Sequence, residues 1–431
     1  MGTTATARTV LCLVLALALH MVGSAAANAM PAFARTYNVS CTTCHSAFPR
    51  LNPVGETFAD DWNFRLPNWA ETTLDAGDAR LALPEELPLG IRAQAFVQGR
   101  DGESIDPLTG EVAADSTTDF QAPYLIKLLA SAPLSEQISF YFYGIFAEKG
   151  QNGEVVIEDA WFSYGDLFDT GVGMQLGQFQ ISDLMFPREV RMTFQDFMPY
   201  RMAGITYERG VLFGRAFGEF QVDIGFVNGN GIDANANINS PGFRRADRLF
   251  DNDTSKTVFG RIGTDVLDTS VGLFALSGKQ RNAAGPAGTL TGSRDTDKRM
   301  LGLDFAGDLR TGVHWFAQVL WNEWDGFLDP GQSYEWYGGF AGIDWIRNDY
   351  WTHSLLYNYA DANDLANTDT VFEGIDINSL TLSSSYYFMR NVKGVIELNV
   401  DLLSTDAPSG QFFTGHLSRE HYFLVGFDAA F

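Results

Sequence analysis

Two cysteines three residues apart, followed at once by a histidine, are the residues of this chain whose spacing indicates chemistry. Cys41, Cys44 and His45 form the run Cys-Thr-Thr-Cys-His, and the remaining cysteine, Cys12, lies in an apolar stretch near the N-terminus. This spacing is typical of a c-type haem, whose vinyl groups take up the two thiols and whose iron is ligated by the histidine. The sequence therefore predicts one haem c, with Cys41 and Cys44 as covalent attachment sites and His45 as the proximal iron ligand.

The alternatives for a C-x-x-C pair are a redox-active dithiol and half of a zinc site. A thioredoxin-like dithiol belongs in a βαβ context, which the sequence does not show, and a zinc site needs two further ligands. No second C-x-x-C and no H-x-x-x-H occurs in the chain. The haem interpretation is therefore the one that the sequence favours.

The first residues have the pattern of a secretory signal peptide. Arg8 supplies a positive charge, residues 10–19 are apolar, and Ala-Asn-Ala at 27–29 has the small-x-small pattern of a cleavage site. We therefore expect a signal peptide over 1–29 and export of the rest. The chain that follows divides into a haem-binding segment over 30–88 and a barrel over 89–431, for the reasons given below.

The composition is acidic and rich in glycine and aromatic residues. There are 53 Asp and Glu against 29 Lys and Arg, which gives a net charge of −24. Such a charge excludes nucleic acid as a partner and favours cations. The length suits two or three soluble domains or one large membrane barrel. The periodicity of the sequence decides between them.

From Leu89 onward the chain repeats one pattern, in which about ten residues alternate between apolar and polar before a turn. Residues 396–402 show it, since Ile, Leu, Val and Leu alternate with Glu, Asn and Asp. Alternation with a period of two is typical of a β-strand with one apolar and one polar face. The pattern predicts sixteen strands, near 89–100, 118–132, 136–148, 154–166, 170–180, 202–215, 219–228, 257–266, 269–278, 298–307, 312–323, 334–346, 351–361, 375–388, 392–402 and 421–431.

The lengths of the connections distinguish an outer-membrane barrel from a soluble sandwich. Short turns follow the even-numbered strands, whereas long polar loops such as 229–256 and 403–420 follow the odd-numbered ones. Bacterial outer-membrane barrels have an even number of strands, short periplasmic turns and long external loops. The last strand also ends on an aromatic residue, Phe431. The sequence thus predicts an all-β, porin-like barrel in the outer membrane lipid, with both termini periplasmic.

Charged side chains fall on the polar phase of these strands, which faces the lumen. A charge that faces lipid at the bilayer midplane costs about 2–4 kcal/mol, so the polar phase is expected to face inward, into a wetted lumen. The inward-facing residues would be Arg92, Arg100, Asp223, Arg261, Asp265, Asp304, Gln318, Lys393, Glu397, Asp401 and Asp428.

Residues 30–88 are too few and too rich in proline to enclose a haem in the way of a soluble cytochrome. No Met or His occurs between His45 and Met174, so the segment has no downstream side chain of either type for the sixth iron ligand. We expect the segment, with short helices, to pack in or against the lumen, which has room for a plug. The sixth ligand would then come from the N-terminus, the barrel or solvent. The candidates are Met30, His314, His353 and Met389, and loop 181–201 would add Met185, Met192 and Met198 if it folds inward.

The motifs around the haem run resemble those of a known family. They are Phe33-Ala34-Arg35, Cys41-Thr42-Thr43-Cys44-His45, Phe48-Pro49-Arg50-Leu51-Asn52 and Gly55-Glu56-Thr57-Phe58. They resemble the start of the outer-membrane monohaem cytochrome–porin fusions of iron-oxidising bacteria. Residues later in this chain resemble the porin part of that family, namely Gly177-Gln178-Phe179 with Phe186-Pro187-Arg188-Glu189 and Arg191. The resemblance implies a protein that takes electrons from ferrous iron outside the cell and passes them through one haem to a periplasmic carrier.

The acidic residues of the first long loop are consistent with a cationic donor. Loop 101–117 has no basic residue and contains Asp101, Glu103, Asp106, Glu111 and Asp115. Carboxylates concentrate cations, and as hard ligands they suit iron better than an organic donor. We therefore expect electron transfer from extracellular Fe(II) or another reductant to a periplasmic cytochrome or copper protein, an Fe(II)-oxidising activity. A porin with a haem-bearing plug and the export of electrons to an external acceptor remain the alternatives.

Overall fold

The structure is a computed structural model. It describes residues 31–60, 63–67, 73–75, 77–78, 80–85, 87–101, 104–105, 112–114, 117–148, 156–188, 192, 194–229, 254–281, 295–365, 376–402 and 421–431. The predicted signal peptide, Met30, the Arg100 side chain and the acidic side chains of loop 101–117 lie outside the described residues.

Sixteen antiparallel strands, β1 to β16, close into one barrel within the described part of the chain. Each strand pairs with its neighbours along the chain, and β16 pairs with β1, where Phe427 lies opposite Ala95. The predicted barrel of sixteen strands is confirmed. In order, the strands are Leu89–Asp101, Thr117–Pro133, Ile138–Glu148, Val156–Tyr164, Gly173–Gln180, Tyr207–Phe217, Phe220–Val227, Thr257–Val266, Thr269–Arg281, Asp295–Arg310, Val313–Asp325, Ser333–Ile346, Trp351–Asp361, Ile377–Met389, Val392–Asp401 and His421–Ala430.

The apolar phase of the strands faces outward. Leu301, Ile396 and Phe427 lie in mid-strand or near it and are 51%, 45% and 51% exposed. A continuous apolar surface around a barrel is the surface that lipid covers in membrane barrels. No helix among the described residues is long and apolar enough to cross a bilayer.

The inward charges do not line a wetted lumen. Arg92 pairs with Asp428, and Arg261 pairs with Asp304, with an N–O distance of 2.7 Å in both pairs. These four side chains are at most 6% exposed, and Glu397 is fully buried. The expectation of a wetted lumen is wrong for these residues. Two segments of the chain fill the lumen. The four paired charges are neutralised by each other instead of by water, and Glu397 accepts hydrogen bonds from the Gln195 amide and the Tyr422 hydroxyl.

The first of the two filling segments precedes β1 and contains three short helices. They are α1 Pro31–Tyr37, α2 Cys41–Cys44 and α3 Pro53–Ala59, and a small ribbon follows in which Thr73–Asp75 pairs with Ala82–Pro84. We call residues 31–67 the N-terminal plug. The predicted helical segment inside the lumen is confirmed, because contacts with inward-facing residues of the strands surround it.

The second filling segment connects β5 to β6 and is called the inward segment, residues 181–206. It contains a 3₁₀ turn, Ile181–Leu184, and a helix, α4 Met198–Ala203. The N-terminal plug contacts strand residues near the short turns, such as Ser139 after the turn between β2 and β3 and Lys393 after the turn between β14 and β15. We call that side of the barrel the short-turn end. The inward segment lies above it, toward the long-loop end. The predicted sorting of short and long connections is confirmed.

The lipid-facing assignment makes a testable prediction. Leu301→Arg places a charge on the apolar outer face of β10 and should cost about 2–4 kcal/mol of folding free energy. Leu134→Arg, the same exchange in the turn between β2 and β3, should cost little because that turn lies outside the apolar band. Urea unfolding in lipid vesicles, followed by the shift in gel migration on heating, measures both. Equal midpoints for the two variants would contradict the assignment.

Candidate functional site

The Cys-Thr-Thr-Cys run forms a single helical turn, α2, directly before His45. The Thr43 amide donates to the Ser40 carbonyl at 3.1 Å and closes the turn. Beyond it the chain folds back, so that His45 forms an isolated β-bridge with Leu51. A compact turn of backbone, the haem turn 41–51, thus carries the three predicted haem residues.

Asn52 ties α2 to α3. Its backbone amide donates to the Cys44 carbonyl at 2.9 Å, and its side-chain amide donates to the Thr43 carbonyl at 3.2 Å. Its side-chain oxygen accepts from the Gly55 amide at 3.0 Å and caps the N-terminus of α3. A Cβ added at Gly55 would stand only 2.1 Å from the Cys44 carbonyl oxygen. Helix α3 therefore packs directly on the attachment turn, and position 55 has room only for glycine.

The His45 ring is held in the tautomer that leaves Nε2 free for a metal. Nδ1 lies 2.8 Å from the Pro49 carbonyl oxygen and 3.3 Å from that of Arg50. Both oxygens only accept, so Nδ1 carries the proton, as in many metal-ligating histidines. Burial and the charges of Lys393 and Arg92 lower the pKa of His45 to about 4, although the two carbonyls oppose the shift. The imidazole is therefore neutral at pH 7, as a metal ligand must be.

These residues fit a c-type haem. The two cysteines share one helical turn, and the neutral imidazole with its free Nε2 follows directly. The Cys44 thiol is half-buried, and burial raises its pKa. Within the described ranges, no group of three or more His, Cys, Asp or Glu side chains is arranged to hold a bare metal ion. The zinc alternative thus lacks its two further ligands in that part of the chain.

Arg50 fastens the haem turn to the barrel wall. Its guanidinium is 1% exposed, and its Nε donates to Asp344 Oδ2 at 2.7 Å while a second nitrogen binds the other carboxylate oxygen. It also donates to Ser354 Oγ at 3.0 Å and to the Met192 carbonyl at 2.6 Å. Ser46 Oγ donates to the same carboxylate at 3.3 Å. One buried guanidinium therefore joins the haem turn, strands β12 and β13, and the inward segment.

Phe48 is a second anchor of the same turn. Lys393 Nζ donates to the Phe48 carbonyl at 3.0 Å, and the cations of Lys393 and Arg92 lie 5.1 and 4.6 Å from its ring centroid. Such cation–π contacts are stabilising when they are shielded from water. The Phe48 ring also meets the His45 ring edge to face, at 4.8 Å between centroids. Asp428 accepts two hydrogen bonds from Arg92, so the haem turn lies beside two cations and one carboxylate.

Arg188 of the inward segment holds α3. Its Nε lies 2.5 Å from Glu56 Oε2, and another of its nitrogens donates to the Asp60 carboxylate. Burial raises the pKa of Glu56 to about 7, although Arg188 opposes the shift. Glu56 and Arg188 come from the two motifs that carry the family resemblance, one before the barrel and one inside it. The structure brings these two motifs into contact.

Asn63 and Phe64 attach the end of the N-terminal plug to strands β3 and β4. Ser139 Oγ donates to the Asn63 carbonyl at 2.6 Å. The Phe64 ring stacks on the rings of Tyr141 and Trp161, at 5.8 and 5.7 Å between centroids. The plug is therefore held on opposite sides of the lumen, by the Arg50–Asp344 pair on one side and by a hydrogen bond and aromatic stacking on the other.

The inward segment closes the lumen above the plug. The Gln195 amide donates to Glu397 Oε1 at 2.7 Å, and the Met198 amide donates to Asn358 Oδ1 at 3.2 Å. Its apolar side chains join those of the wall in one buried cluster. The cluster includes Met185, Met192, Phe197, Met198 and Tyr200 of the segment and Phe316, Leu320, Trp336 and Phe340 of the wall. The loop thus folds inward, and the three methionines named in it as further sixth-ligand candidates are buried.

His314, one of the four candidates for the sixth iron ligand, faces the lumen beside the anchor of the haem turn. It lies on β11 opposite Asp344, the carboxylate that binds Arg50. Its Nδ1 contacts the Asp308 carboxylate, which leaves Nε2 for another partner. Of these four candidates, His314 is thus the one that the structure places next to a residue in contact with the haem turn. Among the methionines of loop 181–201, Met192 contacts the haem turn directly, through the carbonyl that accepts from Arg50.

The other candidates lie elsewhere. The His353 ring stacks on Trp351 at 5.6 Å between centroids, on the same outward face of β13 as the exposed Leu355. That face points away from the lumen. Met389 lies at the turn between β14 and β15 and is 51% exposed. Met30 lies outside the described residues.

Asp344 and Ser354, which hold Arg50, were not predicted from the sequence. Asp344 lies between Ile343 and Trp345, which face outward and are 39% and 41% exposed. An acidic residue on the inward phase of a strand was the available signal. Its pairing with Arg50, 294 positions away in the chain, depends on the closed barrel and has no local signature.

The buried ion pair makes a testable prediction. Asp344→Ala leaves the Arg50 guanidinium buried without its counter-charge, which should cost about 3–5 kcal/mol. The haem turn should then detach, and trypsin should cleave within 31–60 of the folded barrel. The double variant Arg50→Met/Asp344→Leu removes both charges and should regain most of the loss. Asp268→Ala, at an exposed turn, is the control, and equal trypsin sensitivity of Asp344→Ala and this control would refute the role of the pair.

Comparisons with known proteins identify the barrel as a porin-type fold. No family model and no curated protein matches the sequence. Among solved structures, the outer membrane channel DcaP of Acinetobacter baumannii is 11% identical with a TM-score of 0.53, over 80% of this chain and 97% of that chain. An anion-selective porin from Comamonas acidovorans is 12% identical with a TM-score of 0.53, over 80% and 99%. A loop-deletion mutant of OmpT, an outer membrane protein of Vibrio cholerae, is 12% identical with a TM-score of 0.51, over 80% and 99%. At these identities the likeness shows the fold alone.

Proposed function

We propose that this chain is an outer-membrane electron-transfer cytochrome with one haem c. Cys41 and Cys44 would bind the haem covalently, and His45 would be the proximal ligand of its iron. The observation that carries the proposal is the state of His45, which is neutral, bonded through Nδ1 to backbone carbonyls and left with a free Nε2 directly after the cysteine turn.

The proposed path moves single electrons from an extracellular donor to a periplasmic carrier. A haem supplies a one-electron couple between its ferric and ferrous states. Each Fe(II) outside would lose one electron and become Fe(III), and a cytochrome or copper protein in the periplasm would gain it, with no bond made or broken. The residues of this chain hold the imidazole neutral and place the cations of Lys393 and Arg92 beside it. Positive charge there favours the reduced state of a haem.

The orientation of the proposed path follows from the two ends of the barrel. The apolar outer face and the porin-type fold support a place in the outer membrane, whose barrels direct short turns to the periplasm. The N-terminal plug, at the short-turn end, would then lie near the periplasmic carrier. The long loops would face the donor, and loop 101–117, with five carboxylates and no basic residue, would attract cations there.

The filled lumen favours a role in electron transfer and speaks against diffusion of a solute through the barrel. The described inward charges of the strands are largely buried in pairs, and the inward segment packs against the wall through apolar side chains. Electrons tunnel through packed protein, whereas ions and nutrients need a wetted path. A dry interior also suits a haem, whose potential depends on burial.

Reduction by Fe(II) is the direct test of the donor. Fe(II) added without oxygen to the oxidised holoprotein should produce the α-band of a ferrous c-type haem. The variant Cys41→Ser/Cys44→Ser should keep the barrel but show no band, because no haem is attached. If dithionite or a quinol reduces the haem while Fe(II) leaves the spectrum unchanged, the iron assignment is wrong and another donor must be sought. A stable ferrous haem that no oxidised carrier re-oxidises, but that reduces an external acceptor, would favour the export of electrons.

A porin with a haem-bearing plug is the second candidate, favoured by the likeness to solved porin-type structures. The two candidates differ in conductance. We expect planar bilayers that contain the holoprotein to show no steady open-channel current, because the plug and the inward segment fill the lumen. Asp344→Ala, which weakens the attachment of the plug, should show intermittent opening. A large steady current through the unaltered holoprotein would favour the porin and contradict the conduit.

A further inference from the structure

Two bulky apolar side chains stand almost free of the protein at the tips of short turns. Phe168, between β4 and β5, is 89% exposed, and Leu267, between β8 and β9, is 95% exposed. By contrast, Val266 and Leu301 of the outer surface are 52% and 51% exposed, because they rest on neighbouring side chains. The two tips therefore contribute little to the packing of the barrel.

The backbone at both tips would suit a different residue. Phe168 has a φ of 56° and Leu267 a φ of 51°, both in the left-handed region. Glycine and asparagine adopt that conformation at lower cost than a large apolar residue. A bulky side chain that gains no packing and strains its turn is a feature that an interaction outside the chain would explain.

The tips belong to four successive short turns that form one side of the short-turn end. We call these turns the acidic arc, residues 165–172, 215–221, 265–270 and 308–313. Its charged residues are Asp166, Asp169, Glu219, Asp265, Asp268 and Asp308 against Arg215 and Arg310, six acids less two bases or −4. The three other short turns carry Glu136, Asp349, Arg347 and Arg390, two acids less two bases or zero. The apolar tips and the negative charge thus occur on the same side of the rim.

The flanking charges decide between lipid and protein as the occupant of this surface. Asp169 follows Phe168 and Asp268 follows Leu267, and both carboxylates are exposed. Apolar tips that insert into a bilayer are usually flanked by Lys or Arg, which the phosphates of the headgroups attract. Carboxylates at that position are repelled by phosphate. They are attracted by a basic protein surface.

We propose that the acidic arc is the docking surface for a soluble one-electron carrier whose contact face is apolar at its centre and ringed by lysines. This inference rests on the proposed function and specifies the chemistry of its partner. Phe168 and Leu267 contact the apolar centre of the carrier, and the carboxylates around them steer its approach. The arc lies at the end of the barrel that holds the haem turn. The contact is small and short-lived, as redox encounters are, with less than about 1,200 Å² buried.

The test measures binding without electron transfer. The holoprotein in lipid nanodiscs is titrated with a lysine-rich mitochondrial-type cytochrome c, both proteins oxidised, and with the same cytochrome after succinylation of its lysines. The tip variant Phe168→Asn/Leu267→Asn should weaken binding of the unmodified cytochrome about tenfold, about 1.4 kcal/mol. Its turns remain folded because asparagine accepts the left-handed conformation. The matched control on the other side of the rim is Leu134→Asn/Met389→Asn, which should bind as the unaltered protein does.

A second variant tests the charges. Asp169→Asn/Glu219→Gln/Asp268→Asn should weaken binding and flatten its dependence on ionic strength, because three screened attractions are lost. The succinylated cytochrome should not bind. Equal binding of the two cytochromes, unchanged binding by both arc variants, or an equal loss in the control would overturn the proposal.

A separate experiment tests whether membrane lipid, and not a protein, covers the two apolar tips. A fluorophore on Leu267→Cys should be quenched by aqueous iodide and protected by the bound cytochrome, and quenching by spin-labelled lipid would overturn the proposal. Failure of the proposed function is distinguishable, since it would appear as an unreactive haem in the Fe(II) experiment while binding between oxidised proteins is unaffected.

Discussion

The arrangement of the lumen depends on one buried ion pair, Arg50 with Asp344. The Arg50 guanidinium is 1% exposed, and burial at that level is stable only when the positive charge has a counter-charge and the N–H groups have acceptors. The Asp344 carboxylate supplies the counter-charge, and the Ser354 hydroxyl and the Met192 carbonyl accept further hydrogen bonds. Because these partners lie on β12, on β13 and in the inward segment, a single side chain fixes three elements at once. Its own carbonyl lies 3.3 Å from His45 Nδ1, beside the nearer Pro49 carbonyl at 2.8 Å, so the ion pair fastens the short turn that orients the imidazole.

The proposed haem would place a buried cofactor inside a porin-type barrel, and the two have conflicting needs. Sixteen strands enclose a lumen wide enough for water, yet a haem needs an apolar, water-poor site. The chain fills the lumen with two of its own segments, the plug below and the inward segment above. Arg188 joins them through Glu56 and Asp60 of α3. The barrel wall would thus supply the enclosure of the proposed haem that residues 31–67 are too short to build alone.

The sequence predicted the barrel in detail, because alternation and the sorting of turn lengths are local signals that repeat along the chain. It also predicted a plug in or against the lumen, from the shortage of apolar residues, whereas the inward folding of loop 181–201 was only one of the open options for the sixth ligand. It failed on the state of the inward charges. Whether Arg261 or Asp304 contacts water or a counter-charge depends on what fills the lumen. The alternation of a strand shows which way a residue faces but not what it contacts there. The partner of Arg50 was missed for the same reason. The hydrogen bond from His45 Nδ1 to the Pro49 carbonyl, by contrast, lies within a turn of only five residues and depends on local sequence alone.

The central claim, that electrons cross the membrane through the haem of this chain, is tested most directly in sealed vesicles. The holoprotein is reconstituted into liposomes that enclose ferricyanide, and Fe(II) bound to an impermeant polymer chelator is added outside. We expect the enclosed ferricyanide to be reduced in vesicles with the holoprotein, and not in vesicles with Cys41→Ser/Cys44→Ser. Equal rates in the two preparations would contradict it, because the barrel alone would then carry the reductant. So would an enclosed acceptor that stays oxidised although the haem itself is reduced.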